Sequence, residues 1–125
     1  MIKLFLFIGS ILAGLSVAGG AFASHALKDK LSDRSLEIFE TGTKYQMYHA
    51  LALILVALLL TRLETVPMTM ISAGYAFIIG VLIFSGSLYA LSLTGIKWLG
   101  AITPIGGAAF LIGWLSLAIA AWGMK

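Results

Sequence analysis

The chain has 125 residues, 61% hydrophobic and 10% charged, with a formal net charge of +3 and a mean hydropathy of +1.07. A water-soluble domain carries about 25% charged residues, so this chain cannot cover its own surface in water, and its length suits a single domain, residues 1–125. The lack of cysteine excludes disulfides, thiolate metal sites and cysteine nucleophiles, and the scattered charge holds no basic run suited to nucleic acid.

The first apolar stretch, residues 4–26, is long enough as a helix to cross the ~30 Å hydrocarbon layer of a bilayer. Lys3, this stretch, and Ala21-Phe22-Ala23 before Ser24 imitate a secretory leader with its cleavage site. The apolar run, however, exceeds the roughly 7–15 residues of a leader, so it reads as a retained first helix. Ser10, Gly14, Val17, Ala18, Ala21 and His25 recur at three- and four-residue steps. Small stripes let helix backbones approach closely in lipid, so Gly14 and Ala18 are expected to pack against a neighbour.

Eight of the thirteen charged residues, and both histidines, lie between His25 and His49. In this connector, residues 27–44, Ser32 precedes Asp33 and the apolar Leu36 and Phe39, while Arg34, Glu37 and Glu40 decorate the other side. That pattern predicts a short amphipathic helix at the membrane interface. Glu40 and Lys44 form an i,i+4 pair across Gly42, so the helix is able to continue into the second span with only a kink.

The second span covers about 43–60, the third 68–93 and the fourth 99–122. Pro67 suits the first turn of the third, and Gly95 its C-terminal stop. The fourth opens with Thr103-Pro104-Ile105-Gly106-Gly107, a start that an unwound turn would suit, and continues a small stripe through Gly106, Ala109, Gly113, Ser116 and Ala120. Gly106 and Gly113 are therefore expected at a packing face. Short connectors at 61–67 and 94–98 force neighbouring spans antiparallel. The fold class is an all-α membrane protein, an up-down bundle of four transmembrane helices with an interfacial helix between the first two.

In such a bundle His25, Gln46, His49, Tyr89, Ser92 and Thr103 share one membrane side at similar depth. With Ser85 on the same face as Tyr89, they form a candidate polar pocket. Tyr45, Tyr48, Trp98 and Trp122 suit an interfacial aromatic belt, and serine or threonine within a span commonly bonds its own backbone. A titratable group at membrane depth is a functional candidate, and histidine, with an ordinary pKa of about 6.5, changes charge near neutral pH. Two histidines supply at most two metal ligands, and Asp29, Glu37 and Glu40 follow no ligand spacing, so neither metal nor cofactor is expected. No nucleophile set, phosphate loop or dinucleotide fingerprint is present, which argues against an enzyme. Lys28, Lys30, Arg34, Lys44 and Lys97 fall on one side, against Lys3, Arg62 and Lys125 on the other. The positive-inside rule then places the charged connector in the cytoplasm and both termini outside.

Four blocks, Gly20–Leu27, Tyr45–Leu53, Phe84–Tyr89 and Ile96–Gly107, together resemble the YgdD/YwdK-like small bacterial membrane proteins, a family of uncharacterised function with a mitochondrial transmembrane relative in animals. The resemblance covers nearly the whole chain, the Tyr45–His49 and Ile102–Gly107 blocks being specific. Family members often have Gly-Ala where this chain has Ala23-Ser24. The resemblance implies a four-span inner-membrane protein with a retained first helix and brings no activity with it. Two readings follow. One is a non-enzymatic membrane component (a scaffold, lipid-binding or assembly factor) whose partners are membrane lipids. The other is a small homo-oligomeric transporter or proton-linked channel with a pocket around His25, Gln46 and His49.

Overall fold

The computed structural model describes residues 1–125 and is built of helices without a strand. Helix α1 (Ile2–Phe22) is prolonged by a wider, π-type turn at Ala23–Leu27. Helix α2 covers Asp33–Leu60. Helix α3 (Met68–Gly80), a second π-type turn (Val81–Ser85) and α4 (Gly86–Thr94) form one rod. A 3-10 turn at Lys97–Ala101 leads into α5 (Thr103–Trp122). The four rods, Ile2–Leu27, Asp33–Leu60, Met68–Thr94 and Lys97–Trp122, have 26 to 28 residues and are apolar enough to cross a membrane. At a rise of about 1.5 Å per residue each is near 40 Å long, enough for the hydrocarbon core and part of the headgroup layer.

The boundaries follow local chemistry. The Ser32 hydroxyl accepts the Ser35 N–H at 3.1 Å, capping α2, and Asp33 lies in the first turn where a carboxylate suits the helix dipole. Pro67 is extended and caps α3 from outside. Gly95 takes the left-handed conformation (φ 72°), and its N–H closes on Leu91 O at 2.8 Å, ending α4. The amphipathic segment is not a separate element: α2 runs unbroken from Asp33 through Gly42 into the span. Gly42 serves contact there, since a Cβ at that position would lie 2.7 Å from the Tyr89 ring. Helix α5 is likewise regular through Gly106-Gly107, so the start that looked open to unwinding is wound.

Helix α2 is the central element, packed along α1 on one side and on α3 and α4 on the other, while α5 packs against α3 and the π-type turn after it. The main core gathers Phe5, Leu53, Val56, Met70, Ala73, Phe77 and Phe110. A smaller cluster of Ala23, Leu27 and Phe39 closes the connector end.

Aromatic rings seated on glycines set the packing. Phe5 occupies the space a Cβ on Gly74 would need, and Phe110 does the same over Gly80. Phe77 sits over Gly113, whose added Cβ would meet the ring at 2.6 Å, and Gly106 faces the backbone of Phe84. Gly106 and Gly113 both lie against α3 and the turn after it, with Phe110 between them in sequence. Gly14 and Ala18, expected to pack against a neighbour, are both exposed, and nothing lies within 4 Å of a Cβ placed on Gly14. The buried face of α1 is instead Phe5, Gly9 and Ser16. The helical period was read correctly and its phase was not, because two small-residue stripes run along α1. Phe5 in its Gly74 socket and Gly9 against Ile54 select the other stripe.

Candidate functional site

The polar side chains expected in one pocket are arranged as separate hydrogen-bonded junctions between helices. The first centres on Gln46 of α2, a buried residue two turns inside the helix from Phe39. Its amide Nε2 donates to the Leu12 carbonyl of α1 at 2.8 Å, and its Oε1 accepts from the Tyr89 hydroxyl of α4 at 2.7 Å. One side chain thereby joins three helices. The Leu12 carbonyl also accepts from Ser16 Oγ at 3.0 Å. Tyr89 reaches Gln46 because its ring lies over Gly42 and tilts against Phe39, with centroids 4.9 Å apart.

One turn toward the connector, fully buried Ser85 donates to the Gly42 carbonyl at 2.7 Å. The π-type turn that ends at Ser85 adds a residue to the helical register, and such turns recur at specialised positions within helices. Between α4 and α5, Ser87 and Thr103 share a hydrogen bond at 2.6 Å.

His49 forms a third junction. Its Nδ1 pairs with the Tyr45 carbonyl at 2.7 Å, and its Nε2 pairs with the indole Nε1 of Trp114 at 3.0 Å. A carbonyl only accepts and an indole N–H only donates, so these partners together specify the neutral imidazole with the proton on Nδ1. The ring is stacked on Phe110, with centroids 3.5 Å apart and planes 8° from parallel, and Phe77 and Trp114 close its sides. Taking a proton on Nε2 would require breaking the Trp114 bond.

His25 stands apart. It is exposed on the π-type turn after α1 and forms no side-chain hydrogen bond, so the two imidazoles share no partner. Ser92 bonds the Tyr89 carbonyl of its own helix at 3.0 Å. Every buried side-chain nitrogen or oxygen has a hydrogen-bond partner. Three cavities of the molecule lie away from these junctions. One is at the connector end of α2, one at the opposite end between the Arg62–Thr69 segment and the end of α5, and one is a shallow apolar groove across α3 and α5.

Trp114 and Phe110 are the members that sequence reasoning missed. Trp114 is 42% exposed toward the surrounding lipid, yet its N–H turns inward to His49. The available signal was a tryptophan in the middle of a span, whose N–H needs an acceptor and has few candidates there. The i,i+4 pair between Glu40 and Lys44 is also not closed. The one ion pair formed is Arg34–Glu37 at 3.4 Å, too exposed to add much stability.

Comparison with known proteins gives a consistent result. Residues 19–107 match a family described as "Protein of unknown function (DUF423)". The chain is 46% identical over 119 residues to the UPF0382 membrane protein YwdK of Bacillus subtilis, covering 95% of this chain and 96% of that one. It is 48% identical over 118 residues to a UPF0382 membrane protein of Staphylococcus epidermidis, covering 94% of each. A third relative, UPF0382 membrane protein SAB0533 of Staphylococcus aureus, is 47% identical with the same coverage. No solved structure matches the chain.

Proposed function

We propose, for a chain that belongs to the DUF423 family of membrane proteins of unknown function, a non-enzymatic role as a structural component of the bacterial inner membrane: a scaffold or assembly factor that presents its surfaces to lipid. The observation that carries this reading is the complete use of the buried polar groups. Gln46, Ser85, Tyr89 and His49 spend their hydrogen-bonding capacity joining one helix to another. A transport pathway or a proton relay draws on polar groups lining water, and these groups line neighbouring helices. In this reading the charged connector faces the cytoplasm and both termini face outward, as the distribution of lysine and arginine suggests.

The test is flux through proteoliposomes carrying the full chain. Under an imposed proton gradient, wild type and the H25A/H49A double variant are expected to leak no faster than empty vesicles. The H49A change should lower thermal stability, because Trp114 loses its acceptor, while H25A should not. Proton or solute flux above the empty-vesicle rate, abolished in the double variant, would overturn the structural reading in favour of transport.

A further inference from the structure

The charged groove at the connector end of α2 belongs to none of the junctions above. It has a volume of about 360 Å³ and is lined by Arg34, Glu37, Ile38, Glu40, Lys44 and the α4 residue Leu88, among others. Such a volume lies within the range of about 300–1,000 Å³ usual for ligand sites. We propose that this groove binds a phosphoethanolamine group, an anionic phosphate carrying a primary ammonium two carbons away.

Three observations carry the assignment. First, Glu40 and Lys44 line the same groove one helical turn apart and form no ion pair with each other or with any other side chain. Residues so spaced have Cβ atoms about 5–6 Å apart, leaving room for a ligand bearing both charges to meet each of them. Second, the lining is balanced, two cations and two anions. Arg34 and Glu37 already pair with each other, so a purely anionic group on Lys44 would leave Glu40 facing the groove unmatched, and a quaternary amine would offer Glu40 no N–H. Third, the order along the helix matches a phospholipid. Helix α2 runs from the connector into the apolar span, so Lys44 is deeper than Glu40, and Leu88 of α4 is apolar and buried beside them. In a glycerophospholipid the phosphate is likewise nearer the hydrocarbon than the ammonium. Lys44 then takes the phosphate and Glu40 the ammonium, with the Arg34–Glu37 pair at the outer rim.

The proposal rests on the membrane placement and not on the absence of transport or catalysis, which the flux assay tests separately. The experiment is lipid retention by the full chain in mixed micelles, read by native mass spectrometry, with phosphatidylethanolamine, phosphatidylcholine and phosphatidylglycerol of matched acyl chains. A charge-assisted hydrogen bond in a half-open groove is worth about a factor of ten in affinity, so wild type should prefer phosphatidylethanolamine over each of the others by about tenfold. E40Q should bring the three lipids to near equality, and K44Q should weaken all three. Circular dichroism of both variants checks that the helices are intact. Adding soluble O-phosphoethanolamine separates the sources. Displacement of the bound lipid assigns recognition to the headgroup alone, and persistence of the lipid preference assigns it to the headgroup held with its chains against Ile38 and Leu88. Equal retention of the three lipids by wild type, or a preference unchanged in E40Q, overturns the proposal.

Discussion

Replacing Gln46 by leucine removes both of its bonds at once, Nε2 to Leu12 O at 2.8 Å and Oε1 from Tyr89 at 2.7 Å. Leucine is close in volume and suits a helix, so packing on α1 and α4 is largely kept. Hydrogen bonds between membrane helices average about 0.6 kcal/mol each, with a maximum near 1.7. The loss is unequal between the two partners. The Leu12 carbonyl retains Ser16 Oγ, whereas the Tyr89 hydroxyl is left without a partner, at a further cost of about 1–3 kcal/mol. The sum for Q46L is about 2–4 kcal/mol. Y89F should cost about 1–2 kcal/mol, because it strands only Gln46 Oε1 while its ring remains over Gly42. The double variant Q46L/Y89F leaves no stranded group between them, so it should cost no more than Q46L alone, with a coupling energy of about 1 kcal/mol or more. The assay is reversible unfolding in mixed micelles by titration with dodecyl sulfate, followed by far-ultraviolet circular dichroism. If Q46L unfolds within about 0.5 kcal/mol of wild type, or the two single costs simply add, then Gln46 does not act as the three-helix joint described here.

Two further outcomes follow from packing and charge. G106A should destabilise strongly or fail to fold, since its methyl group would fall on the backbone of Phe84, whereas G14A should be neutral or gain up to about 1 kcal/mol from better helix propensity. Equal effects of the two changes, in the same unfolding assay, would refute the assignment of buried faces. Because the chain has no cysteine, single cysteines at positions 30, 65 and 97 report orientation cleanly. An impermeant thiol reagent on whole cells should label T65C and spare K30C and K97C until the membrane is opened, and the reverse pattern would invert the orientation.

Much of the architecture was legible because it is local. Ser32 before Asp33 announced the start of α2, and Gly95 the end of α4, through chemistry that involves only a few neighbouring residues. The four spans were legible from hydropathy for the same reason. The phase of α1 was not, since both of its stripes are small and the choice between them is made by α2 and α3, through Ile54 and Gly74. Of the polar residues grouped in one candidate pocket, Gln46, His49 and Ser85 are buried and Tyr89 and Thr103 partly so, and they bond in separate junctions. Depth follows from sequence position, whereas direction around the helix depends on crossing angles and on the π-type turn at Val81–Ser85, which shifts everything after it. Trp114 escaped notice because its ring faces outward and only its nitrogen faces in.

The alternation of rings and glycines along the α3–α5 contact has a consequence for how the hairpin finds its partner alignment. Phe77 meets Gly113 and Gly80 meets Phe110, each a ring against an empty site, and Gly106 lets the backbone of Phe84 approach. Sliding one helix three residues would bring Phe77 onto Phe110. Sliding it four residues the other way would bring Phe84 onto Phe110 and Gly80 onto Trp114. Both neighbouring alignments therefore collide, and only one seats all three. In lipid, where apolar surfaces have no preference for each other over acyl chains, a code of this kind rejects misaligned hairpins by shape alone.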